Sequence, residues 1–232
     1  MEDRKPLILC IETATNVCSV ALMRGDVSIN SLECKENNAH SKMLATLVQK
    51  VFENTYFSMQ ELSAVAISRG PGSYTGLRIG ASMGKGIAFG LNVPLIAVDT
   101  LLILAKAMQE KYPNCAYIPM IDARRMEVYS CLYDEKLNPL KEVSADIVEC
   151  DLYERFEAQK IILAGDGAEK CKEVLTHSRY ILDKDIYLQA KYMKDFVFEK
   201  YKNNVFENTA YFEPYYLKNF IAIKSKVKGL YN

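Results

Sequence analysis

The segment Ser68-Arg69-Gly70-Pro71-Gly72-Ser73-Tyr74-Thr75-Gly76-Leu77-Arg78-Ile79-Gly80 constrains this chain more than any other. An apolar, β-branched run, Leu62 to Ile67, leads into it and reads as a buried strand. A small-and-apolar run, Ile79 to Leu91, leads out of it and reads as a helix. Pro71 fixes φ, and Gly70, Gly72 and Gly76 open backbone angles closed to other residues. Ser73 and Thr75 are N-cap candidates, so free backbone N–H groups should point out of the loop. Such a corner can hold an anion, position a neighbouring chain, or be no more than a tight turn.

The order of elements repeats around that corner. Leu7 to Glu12, Val17 to Met23 and Val27 to Cys34 read as three strands joined by short turns. A helix over Ser41–Asn54, the Leu62–Ile67 strand, the helix after the glycine loop, a strand over Val93–Val98 and a helix from Thr100 to Met108 follow. The pattern then restarts with strands at Tyr117–Ile121, Glu127–Tyr133 and near Leu140–Val143. Next come a helix near Leu152–Phe156, a strand at Lys160–Ala164 and a helix from about Ala168 to Leu175. A last helix is expected over Gln189–Tyr201. This is an α/β chain of two related halves, residues 1–100 and 101–232, with the last ~20 residues expected to pack back on the first half.

Composition narrows the function classes. Lys and Arg number 29, as do Asp and Glu, so no whole-chain charge favours nucleic acid. Seven scattered cysteines without a CxxC fit buried free thiols in a reducing compartment, not a disulfide framework or a zinc site. No signal-peptide pattern or membrane-length apolar run occurs, so a cytoplasmic protein without a membrane contact is expected. The tail after Glu213 holds Lys218, Lys224, Lys226 and Lys228 among Tyr215, Tyr216, Phe220 and Tyr231. That is a solvated, aromatic-packed tail or an RNA-phosphate strip.

Several residues are candidates for function. Glu12 closes an apolar strand and is followed by Thr13 and Thr15; with Gly72 and Ser73 they form a candidate phosphate-side loop, or simply a hairpin and a turn. His40 stands at a helix entrance and is a cap or packing residue more readily than a metal ligand, because His177 is the chain's one other histidine. Met43, Leu44, Leu47 and Val51 make an apolar stripe on the first helix. The second helix carries Gly80, Gly84, Gly86 and Gly90, each costing ~1 kcal/mol relative to alanine, so another backbone should come close. Gly80 and Gly84 offer a flat strip for a neighbouring helix, of this chain or another, and Gly84→Leu is expected to block a partner while the monomer stays folded. Gly84-Lys85-Gly86 fails the P-loop spacing, since Ile79 and Gly86 stand where glycine and Ser or Thr are needed.

Taken together, these motifs resemble the TsaB (YeaZ) family. Ile8 to Thr15 with Cys18 to Leu22 resembles its start, and Arg69 to Gly80 its most distinctive segment. Ile121 to Arg124 with Glu127-Val128-Tyr129 resembles its central hairpin, and Glu213-Pro214 with Tyr216-Leu217 its C-terminal motif. The likeness runs from about residue 7 to 220 and is faint between about 145 and 205. It implies an actin-like (ASKHA) ATPase fold and a part in making threonylcarbamoyladenosine beside the tRNA anticodon. The implied partners are the related catalytic subunit TsaD, the ATPase TsaE and, indirectly, tRNA. A homodimer in isolation stays open, as does ATP or ADP at the complex interface; no cofactor is expected for the isolated chain. The partner face implied by the resemblance lies on the first two helices of the first half, here His40, Met43, Leu44, Leu47 and Val51 with Leu77, Gly80, Ala81, Gly84 and Ala88.

One departure from TsaD is legible. Its HxxxH pair falls here on Thr100 and Leu104, and leucine cannot ligate a metal; Leu163 to Gly167 also lacks TsaD's fuller glycine and Asn pattern. The expectation is a non-catalytic subunit with no metal. The alternatives are an active ASKHA phosphotransferase using Glu12, Thr13 and Thr15, a stand-alone RNA-binding module using the basic tail, and, last, a metallopeptidase of the old glycoprotease type.

Overall fold

The structure is a computed structural model that describes residues 5–36 and 39–218. Its first sheet takes β1 (Leu7–Glu12), β2 (Cys18–Arg24), β3 (Val27–Cys34), β4 (Ala64–Ser68) and β5 (Leu95–Val98) in the order β3-β2-β1-β4-β5. The second takes β6 (Ala116–Asp122), β7 (Glu127–Ser130), β8 (Ser144–Ile147), β9 (Ile161–Ala164) and β10 (Tyr180–Asp183) in the order β10-β9-β6-β7-β8. Read from the meander edge, both sheets share one plan: three antiparallel strands, then two parallel ones. The repeat expected from the order of elements is therefore a repeat of topology.

Helices α1 (Ala39–Lys50) and α2 (Tyr74–Leu91) cover one face of the first sheet, and α3 (Thr100–Lys111) lies against β6. Alternation along β1 shows why its apolar run is unbroken. Leu7, Leu9 and Ile11 enter the core under α1 and α2, while Ile8 and Cys10 enter a central core shared with α3, β6 and β9. A strand covered on both faces reads as continuous hydrophobicity, not as alternation. A third core lies on the far face of the second sheet around Ile118, Leu163 and Tyr153.

The chain returns to the first sheet well before its end. Ala190 N–H donates to Ser19 Oγ at 2.9 Å, and α4 (Lys194–Lys202) packs on β5. Glu207 N–H then donates to the Leu95 carbonyl at 2.8 Å, and Tyr215 N–H to the Arg69 carbonyl at 2.6 Å. Tyr216 stacks on Tyr74 with ring centroids 4.6 Å apart, and Lys218 pairs with Glu127 in the other half. Lys224, Lys226, Lys228, Phe220 and Tyr231 lie outside the described residues.

The second half departs from the sequence expectation. The third strand sits at Ser144–Ile147, later than Leu140–Val143, and β10 arises from a stretch with no strand expectation. The Gln189–Tyr201 helix divides into a 3-10 turn, Ala190–Met193, and α4. Between Ala168 and Leu175 only Glu169–Cys171 is helical, as a 3-10 turn, and 152–156 forms turns. Arg179 braces those turns: its guanidinium donates to the Tyr153 and Phe156 carbonyls, each at 2.9 Å. Arg179→Ala should destabilise the protein by about 2–3 kcal/mol, since it strips two charge-assisted bonds from half-buried carbonyls; urea unfolding measures it.

Candidate functional site

Two features carry the site: a sealed carboxylate loop and the outer face of two helices. The loop begins where β1 ends. Glu12 is fully buried, and its Oε1 accepts Ala14 N–H at 2.7 Å and Ser68 Oγ–H at 2.8 Å, while Oε2 has no partner among the described residues. Burial pushes the Glu12 carboxyl up to about 7, against the opposing hydrogen bonds from Ala14, Ser68 and Thr13. Thr13 is turned inward too, its hydroxyl donating to the Gly76 carbonyl at 2.8 Å, and Thr15 is buried. Ser73 N–H donates to the Ala14 carbonyl at 2.7 Å, and Ser73 Oγ caps α2 by accepting Gly76 N–H at 3.3 Å.

The glycines of α2 make this closure sterically feasible. A Cβ at Gly72 would come within 2.5 Å of the Ala14 carbonyl oxygen; at Gly76 it would strike the Thr13 carbonyl and at Gly80 the Thr13 hydroxyl. At Gly84 it would come within 2.5 Å of Ile67 Cγ2 on β4. The helix therefore lies flush on its own β1–β2 turn and its own sheet. Glu12, Thr13, Thr15, Gly72 and Ser73 are gathered as expected, but the first three face inward and the loop N–H groups of Ser73 and Gly76 are already satisfied. As a phosphate cradle the loop is closed. In the Leu163–Gly167 stretch Gly167 likewise presses on the β6 backbone, and the exposed Asp166 accepts Asp122 N–H at 3.0 Å.

The expected partner face needs the same correction. Leu44, Leu47 and Val51 of α1, and Leu77, Gly80, Ala81, Gly84 and Ala88 of α2, are buried against the chain's own sheets. They hold the helices down on those sheets and offer almost no surface to a partner. His40 is half-buried and reaches the backbone of Thr15 and Val17; burial holds its imidazole below the usual value, so it ties α1 to the β1–β2 turn. Met43 is partly buried beside that core.

The rim of α2, half-buried at the edge of that core, carries a different set. Ile79, Met83 and Ile87 recur every four residues and line a shallow open groove with Ser41, Arg78, Ser82 and Gly86. Nothing lies within 4 Å of a Cβ placed on Gly86 or Gly90, and Phe89 is 84% exposed. The α2 glycines with open space around them are thus Gly86 and Gly90. Periodicity could not assign them, because apolar residues occur on every side of α2.

At the two positions expected to replace a histidine pair, Thr100 Oγ1 accepts Gly70 N–H at 3.0 Å and Leu104 is fully buried, its methyl near Gly165. Both are packing positions.

A family model described as TsaD, tRNA N6-adenosine threonylcarbamoyltransferase, matches residues 35–226. The tRNA threonylcarbamoyladenosine biosynthesis protein TsaB of Escherichia coli (strain K12) is 30% identical over 225 residues, covering 94% of this chain and 96% of that protein. The structure of YeaZ from Pseudomonas aeruginosa superimposes with a TM-score of 0.82 at 24% identity, over 91% of this chain and 100% of that one. The ADPNP-bound activator of 2-hydroxyisocaproyl-CoA dehydratase from Clostridium difficile reaches 0.50 at 10% identity, over 87% of this chain and 98% of that one. Both structural likenesses show the shared two-lobed, actin-like ATPase fold.

Two measurements test this site. The unfolded chain releases the Glu12 proton near pH 4.5 and the native one near 7, so this group's stabilisation is complete below 4.5, falls as pH rises to about 7 and is flat above. Glu12→Gln, which mimics the protonated acid, should remove that slope and leave the protein about 2–3 kcal/mol more stable than the parent at about pH 8, read from denaturant midpoints across pH. Gly84→Leu should destabilise the folded monomer itself, whereas Gly86→Ala should raise stability by about 0.5–1 kcal/mol; thermal melts of the two variants separate the inner face from the outer.

Proposed function

The chain belongs to the TsaB (YeaZ) family, and from that premise we propose that it is the non-catalytic subunit supporting a TsaD-type transferase in tRNA threonylcarbamoyladenosine synthesis. The observation that carries the pairing is the outer face of α2: an apolar stripe, Ile79, Met83 and Ile87, beside the small positions Ser82 and Gly86. Large apolar side chains next to residues that let a backbone approach are what a partner helix needs. Two helices from each protein would bury roughly 1,200–2,000 Å² in total, the size of a standard specific interface.

The absence of chemistry in this subunit is argued from the residues that fill the expected positions. Thr100 and Leu104 pack where TsaD has histidines, and Glu12 and Thr13 are bonded inside the fold. The phosphotransferase reading loses support for the same reason, since a buried carboxylate with bonded neighbours cannot reach a phosphate-bound cation. Nucleotide at the partner interface, TsaE as a further partner and tRNA as an indirect one remain part of this proposal.

Ser82→Arg combined with Gly86→Trp fills the groove from its exposed side without touching the core. The variant should keep the parent's thermal midpoint and lose co-elution with the TsaD of its own organism in size-exclusion chromatography with light scattering. Unchanged one-to-one co-elution would remove this face from the interface.

A further inference from the structure

Among the seven cysteines, two stand face to face. Cys18 opens β2 and Cys34 closes β3, and they are direct partners at the end of that antiparallel ladder. All described cysteines are free thiols. Cys18 is fully buried in the core beneath α1, and Cys34 is half-buried against the same core, so both side chains point to one face of the sheet. Directly opposed residues of antiparallel strands hold their Cα atoms about 4.5–5.5 Å apart. A disulfide asks for Cα atoms about 4.4–6.8 Å apart, so this pair can be bridged with little backbone movement. β3 is the edge strand of its sheet, which leaves Cys34 approachable from solvent.

We propose that Cys18 and Cys34 are a redox-active dithiol site that closes to an intramolecular disulfide on reaction with a low-molecular-weight disulfide such as oxidised glutathione. Burial pushes the Cys18 thiol up to about 12, and the neighbouring Cys34 adds to that shift, so Cys34 meets the reagent first. The Cys34 sulfur attacks one sulfur of the reagent, the reagent's S–S bond breaks, and one glutathione leaves as the thiol with the Cys34 proton. The Cys18 sulfur then attacks the Cys34 sulfur of the mixed disulfide, and the second glutathione leaves with the Cys18 proton. Two protein thiols lose two electrons in all, and one reagent disulfide becomes two thiols. The bond would close the β2–β3 hairpin covalently and pin the sheet edge where the chain departs for α1.

The test uses the full chain, incubated with oxidised glutathione, alkylated and digested for mass spectrometry. A peptide joining Cys18 to Cys34, lighter by two hydrogens and restored by reductant, is expected together with a raised thermal midpoint. Cys34→Ser alters the half-exposed partner; it should yield no joined peptide and leave Cys18 a free thiol, and its reduced thermal midpoint reports that it is folded. A glutathione adduct that persists on Cys34 while Cys18 stays free would overturn the proposal. So would an unreacted Cys34, or a Cys34 disulfide to the half-buried Cys115 or the exposed Cys150.

Discussion

The first half of the molecule depends on how closely α2 sits on the turn after β1. The Thr13 hydroxyl bonds to the Gly76 carbonyl, Ser73 N–H bonds to the Ala14 carbonyl, and a Cβ on Gly72, Gly76 or Gly80 would break that contact. Consequences spread in both directions from this seam. Glu12 is shut in beneath it and held by Ala14 and Ser68, which links the ends of β1 and β4. On the side of α2 away from the turn, Ile79, Met83 and Ile87 stay half-buried at the rim of the core and line a shallow groove. One steric arrangement thus buries the Glu12 corner and sets which side of α2 meets the sheet.

Electrostatics follow from that packing. A carboxyl whose second oxygen lacks a partner is held closer to neutrality by burial than by any charge nearby, because desolvation of the ionised form outweighs three hydrogen bonds. The surface pairs are of another kind. Arg69 meets Asp99 at 2.8 Å with both side chains well exposed, and such pairs contribute little on their own. Lys218 has a greater structural reach, since its pairing with Glu127 and its contact to the Ala123 carbonyl carry the C-terminal strap from the first half to the β6–β7 turn.

The two halves show how one topology survives different local means. In the first, α1 and α2 make the crossovers between parallel strands; in the second, turns and a 3-10 segment do so, and Arg179 braces the turns through the Tyr153 and Phe156 carbonyls. That difference is also why the stretch between β8 and β10 read poorly. Its apolar residues, Tyr153 among them, are set by tertiary bonds and not by a local period.

The sequence alone determined the central strands β1, β4, β5, β6 and β9, whose continuous apolar runs reflect burial on both faces, and it determined the glycine corner, where few backbones are allowed. It also carried the family motifs, and with them the fold. Which way α2 faces was decided by the tertiary structure. Gly80 and Gly84 lie on one side of the helix and Gly86 and Gly90 on another, and the local pattern fits either pair against a neighbour. Only the sheet beneath, with Ile67 against Gly84 and the Thr13 turn against Gly76 and Gly80, makes one side inward and leaves the other free. The inward fate of Glu12 has the same cause: a carboxylate at a strand end is polar in sequence, and burial there depends on a helix that arrives about sixty residues later.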